Sequence, residues 1–402
     1  MTTNQFTDQI EKLYSEISEK KLTNRRFKHR ETHLLINNLK SNGMFEVDEI
    51  GKSTEGRSVY MIKAGNGETK VLLWSQMHGN EPTATAALFD IFNLFLSGFL
   101  KPEVDVILKN LTLYFVPMVN PDGAEVFKRR NALDIDLNRD AARLAAVETR
   151  FLKKLRDVIE PEYGFNLHDQ EIYYSAGNTS NPAAISFLAP SFDPPKTIDD
   201  GRKASMQLIV LMNNILQQYI PGMVGRYSDE FMPTAFGDNM QKWGTNTILI
   251  ESGGYKNDPE KQLIRKMNFL CIMAALYALA ADKNNLPDFN PYFKIPENKK
   301  EKLFDLLIRN AQIQKNNRHF KIDIGIRRKE LDNERFTDFT YLGEISEIGD
   351  LSYYFGFEEL DASELLVVAK DVELLIGKHA DFQLVDKNNK IRYKIKNGFL
   401  TI

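Results

Sequence analysis

At 402 residues, with 43% hydrophobic and 27% charged side chains, the chain is long enough for a large core and two domains, and its composition is that of an ordinary globular protein. A formal net charge of −3 supplies no basic footprint, so nucleic acid is excluded as the expected partner. The single cysteine, Cys271, excludes an internal disulfide framework; within Phe269-Leu-Cys-Ile-Met-Ala-Ala-Leu-Tyr277 it reads as a buried, inert thiol.

Residues 1–10 lack the basic and apolar regions of a secretory signal. The longest uncharged apolar stretch, 269–281, is shorter than the roughly 18 residues that a bilayer span needs. No membrane partner and a cytoplasmic location are therefore expected; the oligomeric state leaves no trace in the sequence. Along the chain, short β-branched or aromatic runs predict strands at 57–63, 70–76, 112–118, 163–168 and 245–251. Helical periodicity falls between them at 82–96, 145–158, 202–219 and 259–281. Strands interleaved with helices of this length call for a mostly parallel or mixed sheet covered on both faces.

The Pro-, Asn- and Asp-rich stretch that begins at Asp282 has linker chemistry. The expected organisation is a catalytic domain over 1–282, a linker over 283–299, and a small β-rich C-terminal domain of unknown role over 300–402. Within the last, a helix is expected at 300–314, alternating strands at Phe320-Lys-Ile-Asp-Ile-Gly-Ile and Lys390-Ile-Arg-Tyr-Lys-Ile-Lys, and a tight turn at Asn397-Gly398.

His78-Gly-Asn-Glu81 follows the apolar run Val71-Leu-Leu-Trp74. An imidazole and a carboxylate three positions apart, just past a strand, can grip one metal ion from a single turn. Pro82 suits the first turn of the helix that follows, so the pair would flank a strand-to-helix crevice. For this motif alone, a capping Glu beside a surface His is an equal reading. His168 ends Tyr163-Gly-Phe-Asn-Leu-His, and Glu251 ends Thr247-Ile-Leu-Ile-Glu before Ser252-Gly-Gly. A carboxylate leaving an apolar strand is partly desolvated, which raises its pKa toward values useful for proton transfer; a structural salt bridge is the bland alternative. Taken together, these residues read as a zinc hydrolase site of the His2Glu kind. Arg129, Arg130, Asn138 and Arg139 form a basic cluster suited to carboxylate recognition, with Arg130 read as solvated. Asn120-Pro-Asp-Gly123 is turn chemistry. His29, His33, His319 and His379 lie in polar surroundings without ligand spacing and read as surface residues.

In their order, Gly51-Lys-Ser-Thr-Glu-Gly-Arg57, His78-x-x-Glu81, Asn120-Pro-Asp-Gly123, Arg129-Arg-Asn131, Asp136-Leu-Asn-Arg139, His168 and Glu251 resemble the zinc metallocarboxypeptidases of the carboxypeptidase A type. The resemblance implies a three-layer α/β/α sandwich around a mixed, mostly parallel eight-stranded sheet. It implies one Zn2+ per chain, held by His78, Glu81 and His168 with a fourth place for water. Glu251 would take a proton from that water and deliver it to the leaving amine. Arg129 would stabilise the developing oxyanion, and Asn138 and Arg139 would clamp the free carboxylate of a peptide or amino-acid-derived substrate. Asp136 would orient His78 through its second ring nitrogen.

The chain departs from the family pattern in several places. Asn80 stands where the digestive-type enzymes carry an arginine. Asp169-Gln170 follows His168 in place of Ser and an aromatic residue, which adds a negative charge beside the metal. Asp134 replaces a glycine, and Tyr227 is the candidate for the family's flexible tyrosine. The form His-Gly-Asn-Glu also occurs in N-acyl amino acid deacylases of the aspartoacylase and succinylglutamate desuccinylase group. Asn-Pro-Asp-Gly and Glu-Ser-Gly-Gly favour the carboxypeptidase side. A non-catalytic protein that binds peptide ends is the third reading; retention of the ligands, base and arginine argues against it.

Overall fold

Val71-Leu72-Leu73-Trp74 shows no polar alternation, and a strand of that kind must be covered on both faces. In the computed structural model, which describes residues 1–369 and 374–401, it is the middle of a strand whose side chains are divided between two cores. Val71 and Leu73 join one apolar cluster; Leu72 and Trp74 join another. Successive side chains point to opposite faces of a sheet, so this one run defines the middle of three layers.

Among the described residues, the chain divides into two compact units, Met1–Ile172 with Ala183–Asn298, and Tyr173–Pro182 with Lys299–Ile402. The first unit is built on an eight-stranded mixed sheet. Its strands are β1 (Phe45–Lys52), β2 (Ser58–Ala64), β3 (Thr69–Ser75), β4 (Leu111–Val116), β5 (Tyr163–Asp169), β6 (Ile185–Leu188), β7 (Val224–Arg226) and β8 (Asn246–Ser252). They lie in the order β1-β2-β4-β3-β5-β8-β6-β7. The central β4, β3, β5 and β8 are mutually parallel. Three of these strands, β3, β5 and β8, therefore deliver their C-terminal ends to one edge of the sheet, where sites form in open α/β folds.

The larger core packs α1 (Thr3–Ile17), α2 (His29–Lys40), α3 (Thr83–Ser97), α4 (Lys101–Asn110), α6 (Asp200–Leu216) and α8 (Gln262–Asp282) against one face, through Phe6, Ile36, Leu88, Ile107, Met206 and Leu270. The smaller core covers the other face with α5 (Val147–Ile159) and α7 (Phe236–Lys242), through Leu152, Phe236 and Met240. The α/β/α sandwich expected from the resemblance is thus present. Helix α8 is longer than the expected apolar stretch and, with the residues to Asn285, has the length and composition of a bilayer span. Its apolar window is 89% buried inside the protein, which makes it a core helix, apolar all round because it is covered all round.

The N-terminal helices each present an apolar stripe at helical spacing, Phe6, Ile10, Tyr14 and Ile17 in α1 and Leu35, Ile36 and Leu39 in α2. A capping box at Thr2 and Gln5 starts α1. Two histidines expected at the surface are half-buried and tie α2 to the sheet. His29 Nε2 lies 2.9 Å from the Ser58 carbonyl, and His33 Nδ1 lies 2.8 Å from the Tyr60 hydroxyl. Of the residues expected as a linker, those to Asn298 lie with the first unit. Tyr292 is wholly buried there, its hydroxyl accepting from the Ala189 N–H at 3.2 Å.

The second unit contains, among its described residues, an eight-stranded sheet. Its strands are β9 (Leu303–Lys315), β10 (Arg318–Asp332), β11 (Phe339–Gly349), β12 (Phe355–Asp361), β13 (Leu366–Val368), β14 (Phe382–Val385), β15 (Ile391–Lys396) and β16 (Phe399–Thr401). The helix expected at 300–314 is instead the long strand β9. Apolar residues at 303, 304, 306, 307 and 308 fit either periodicity; pairing with both β10 and β12 satisfies the backbone on both edges, and Leu306 and Ile308 join one apolar cluster while Leu307 joins another, which decides for the strand. Asn397 and Gly398 take positive φ values of 49° and 76° and close the β15–β16 hairpin, as a two-residue turn requires.

Candidate metal centre

The turn after β3 is shaped by backbone constraints before any chemistry. Gln76 takes a left-handed φ of 49° and its side-chain amide donates to the Gly79 carbonyl at 2.9 Å. Gly79 packs on the backbone of Gly123, where a Cβ would meet the Gly123 carbonyl carbon at 2.0 Å; only glycine fits. Its N–H donates to the Arg129 carbonyl, and Asn120 Nδ2 donates to the Met77 and Arg129 carbonyls, each at 3.4 Å. The Asn120-Pro-Asp-Gly segment, a one-turn helix over Pro121–Glu125, thus braces the metal turn and Arg129 together. The Glu81 N–H closes onto the His78 carbonyl, and α3 begins two residues later.

Three side chains from two strand ends converge. His78 Nδ1 lies 2.7 Å from Glu81 Oε1, and His168 Nδ1 lies 2.7 Å from Glu81 Oε2. The two imidazole Nδ1 atoms are 3.2 Å apart. All three residues are buried, with ligand atoms within 4.8 Å of one another. Burial opposes ionisation of Glu81, but His78 and His168 outweigh it and hold its pKa well below the carboxylate range. Burial above all lowers the pKa of His168, favouring the neutral imidazole that a metal ligand must be. For His78, burial is overcome by Glu81 and Asp136, which raise its pKa. Two imidazole nitrogens and one carboxylate fit a single zinc ion with a position left for water.

Asp136 Oδ1 lies 3.1 Å from His78 Nε2, the nitrogen that faces away from Glu81. Burial opposes ionisation of Asp136, yet His78 and Arg129 keep its pKa well below the usual range. Arg129 Nε donates to Asp136 Oδ2 at 3.1 Å, and its Nη1 reaches Glu81 Oε1 at 3.2 Å. Arg129 therefore borders the metal site. It also lines an open cleft of about 440 Å³ with Glu55, Lys128, Arg130 and Asp134.

Glu251 stands opposite His168 in the parallel register of β5 and β8. Its Oε2 is buried and has no hydrogen-bond partner among the described residues. Burial first, then the charges of Glu81 and Asp169, raise its pKa well above the ordinary value; Arg129 and Lys261 pull the other way. Asn138 Oδ1 accepts from the Phe236 N–H at 2.9 Å, fixing the start of α7. Arg139 is exposed, with Nη1 donating to the Asn138 carbonyl at 2.8 Å. Arg130 is exposed and bonds the Asp134 carbonyl, in keeping with a solvated role. Tyr227 follows β7, its N–H donating to the Phe187 carbonyl at 3.0 Å.

Sequence reasoning missed two polar residues beside the centre. Thr83 Oγ1 and Lys261 Nζ both donate to Asp169 Oδ2, at 2.5 and 3.1 Å, so the extra negative charge after His168 is compensated. Neither lies at a spacing that a motif could flag.

Known proteins resemble this chain over the same region. The zinc carboxypeptidase family model matches residues 35–182. Carboxypeptidase SOL1 of Arabidopsis thaliana is 33% identical over 98 residues, 23% of this chain and 20% of that protein. Carboxypeptidase 2 of Trichophyton rubrum is 30% identical over 157 residues, 36% of this chain and 28% of that protein. The chain thus matches only 20% to 28% of these relatives' length. The solved metallo-carboxypeptidase from Burkholderia cenocepacia shares the fold, with a TM-score of 0.51 at 16% identity over 62% of this chain and 68% of its own. Glu251 lies beyond the matched segment, and its place beside the ligands comes from the sheet register. Over residues 35–182, which hold all three metal ligands, the chain carries a zinc carboxypeptidase domain.

Proposed function

We propose that the protein is a zinc-dependent metallocarboxypeptidase that hydrolyses the C-terminal amide bond of peptides bearing a free carboxylate. One observation carries this reading: a His2Glu donor set, with a carboxylate on the neighbouring strand, in register with its second histidine, whose Oε2 is buried and has no hydrogen-bond partner among the described residues. Zinc, when bound by His78, Glu81 and His168, polarises the scissile carbonyl and lowers the pKa of water to about 7. Glu251 Oε2 accepts the proton of the attacking water and returns it to the leaving amine. Burial and the charges of Glu81 and Asp169 raise its pKa, so it holds a transferred proton more readily than an exposed glutamate does.

Asp136 fixes the ring of His78, and so the direction of its Nδ1. Arg129, held by Asp136, presents its guanidinium beside the ligands, where negative charge grows on the carbonyl oxygen during attack. Arg139 and Asn138 bind the substrate carboxylate, Arg139 with an exposed planar fork. A zinc-loaded assay over peptides with free and amidated C-termini, beside N-acetyl and N-succinyl amino acids, tests the proposal. Cleavage confined to free-carboxylate peptides supports it. Preferential release of acyl groups would assign the deacylase reaction instead, and tight peptide binding without hydrolysis would assign a binding role.

A further inference from the structure

Three pieces of chain must be held in register for the centre to exist: the His78–Glu81 turn leading into α3, the end of β5 with His168, and the end of β8 with Glu251. One buried cation outside the ligand set bonds to the end of each strand and, through Asp169, to the start of α3. Lys261, 4% exposed, immediately precedes α8. Its ammonium donates at 2.9 Å to the carbonyl of Ser252, next to Glu251. It donates at 3.3 Å to the carbonyl of Gln170, two residues past His168, and at 3.1 Å to Asp169 Oδ2. Three donors meet three acceptors, the full capacity of an ammonium group.

Asp169 extends the connection. Its Oδ2 accepts from Thr83 Oγ1, two residues past Glu81, and its N–H donates to Glu81 Oε2 at 3.2 Å. Lys261 holds a left-handed φ of 49°, a conformation that sterics disfavour for lysine. Another buried ion pair, Arg265 with Asp90, bonds Glu19, Leu22, Tyr14 and Gln262 and, among the described residues, none of the metal ligands. Stabilising the core therefore does not by itself require a cation at this point.

We propose that Lys261 is a positioning residue: paired with Asp169, it neutralises the carboxylate beside the metal ligands and clamps the ends of β5 and β8, so that Glu81, His168 and Glu251 keep their relative placement. This rests on the zinc hydrolase reading above.

The test compares Lys261→Met, Asp169→Asn and the double variant with wild type. Four readouts are needed: zinc affinity by chelator competition, the visible spectrum of the cobalt-substituted protein, thermal unfolding, and kcat with KM. Each single variant is expected to weaken zinc affinity and lower kcat by about 10–100-fold, the usual effect of losing an outer partner of a metal site, with KM little changed. The double variant, which has no unpaired charge, should bind zinc more tightly than either single. A role in folding alone would lower the unfolding temperature while zinc affinity, cobalt spectrum and kcat per folded molecule stay at wild-type values; that result overturns the proposal. If Lys261→Met does not fold, Asp169→Asn decides, because it preserves shape, and unchanged zinc affinity and kcat there overturn the proposal equally. Wild type that binds zinc but cleaves no peptide would refute the hydrolase reading alone, leaving zinc affinity and the cobalt spectrum to judge Lys261.

Discussion

Glu251→Gln is the sharpest perturbation, because it exchanges one oxygen for nitrogen and leaves shape, burial and the three ligands in place. The amide cannot accept and return a proton. Losing a positioned acid–base group typically slows turnover about 10²–10⁴-fold, which corresponds to roughly 3–5 kcal/mol of activation free energy. Zinc affinity should stay close to wild type, since the side chain is not a ligand. A second, independent signature follows from the pKa of Glu251, which burial and the neighbouring charges of Glu81 and Asp169 raise above its ordinary 4.5. A carboxyl group whose pKa is higher folded than unfolded holds its proton more tightly in the folded state. Its contribution to stability is full below pH 4.5 and is lost as pH rises through the folded pKa. Glutamine does not titrate. The melting temperature of the zinc-free variant relative to zinc-free wild type should therefore climb as pH increases from 4.5. Steady-state kinetics on zinc-loaded protein and unfolding scans from pH 4 to 9 read both effects. Wild-type turnover by the glutamine variant, or a melting difference that ignores pH, would refute the reasoning.

Asp136→Asn removes the charge behind His78 Nε2 and should weaken zinc affinity or turnover about 10–100-fold; chelator competition reads it, and unchanged affinity and turnover would dismiss the relay. Arg139→Ala should raise KM for free-carboxylate peptides by about 10–100-fold, the worth of a hydrogen bond to a charged group. Amidated peptides should resist the wild-type enzyme, so their ready cleavage would exclude the clamp. Away from the site, Asp90→Ala strands Arg265, 1% exposed, without its partner. Urea unfolding should show a loss of about 3–5 kcal/mol, and a loss under about 1 kcal/mol would show that the pair contributes little.

Much of the centre was legible because its parts sit where apolar runs stop. His168 and Glu251 close strand-like runs and His78 lies just past one, and a polar side chain buried there is paired or employed. The elements that escaped detection escaped for physical reasons. β9 reads equally well as a helix until strands pair along both its edges. Helix α2 carries its stripe at helical spacing in Thr32, Leu35, Ile36 and Leu39, whereas His29 and His33 are tied down by bonds that β2 provides.

From the sequence alone came the identity of the three donors and the strand-and-helix alternation that carries them, both of which depend on residue type and local period. Tertiary structure alone decided that Glu251 stands beside His168 on the neighbouring strand and that Lys261 neutralises Asp169. These partners lie tens of residues apart in the chain. Only parallel pairing of β3, β5 and β8, enforced by burying apolar side chains on both faces of the sheet, brings their ends to one edge.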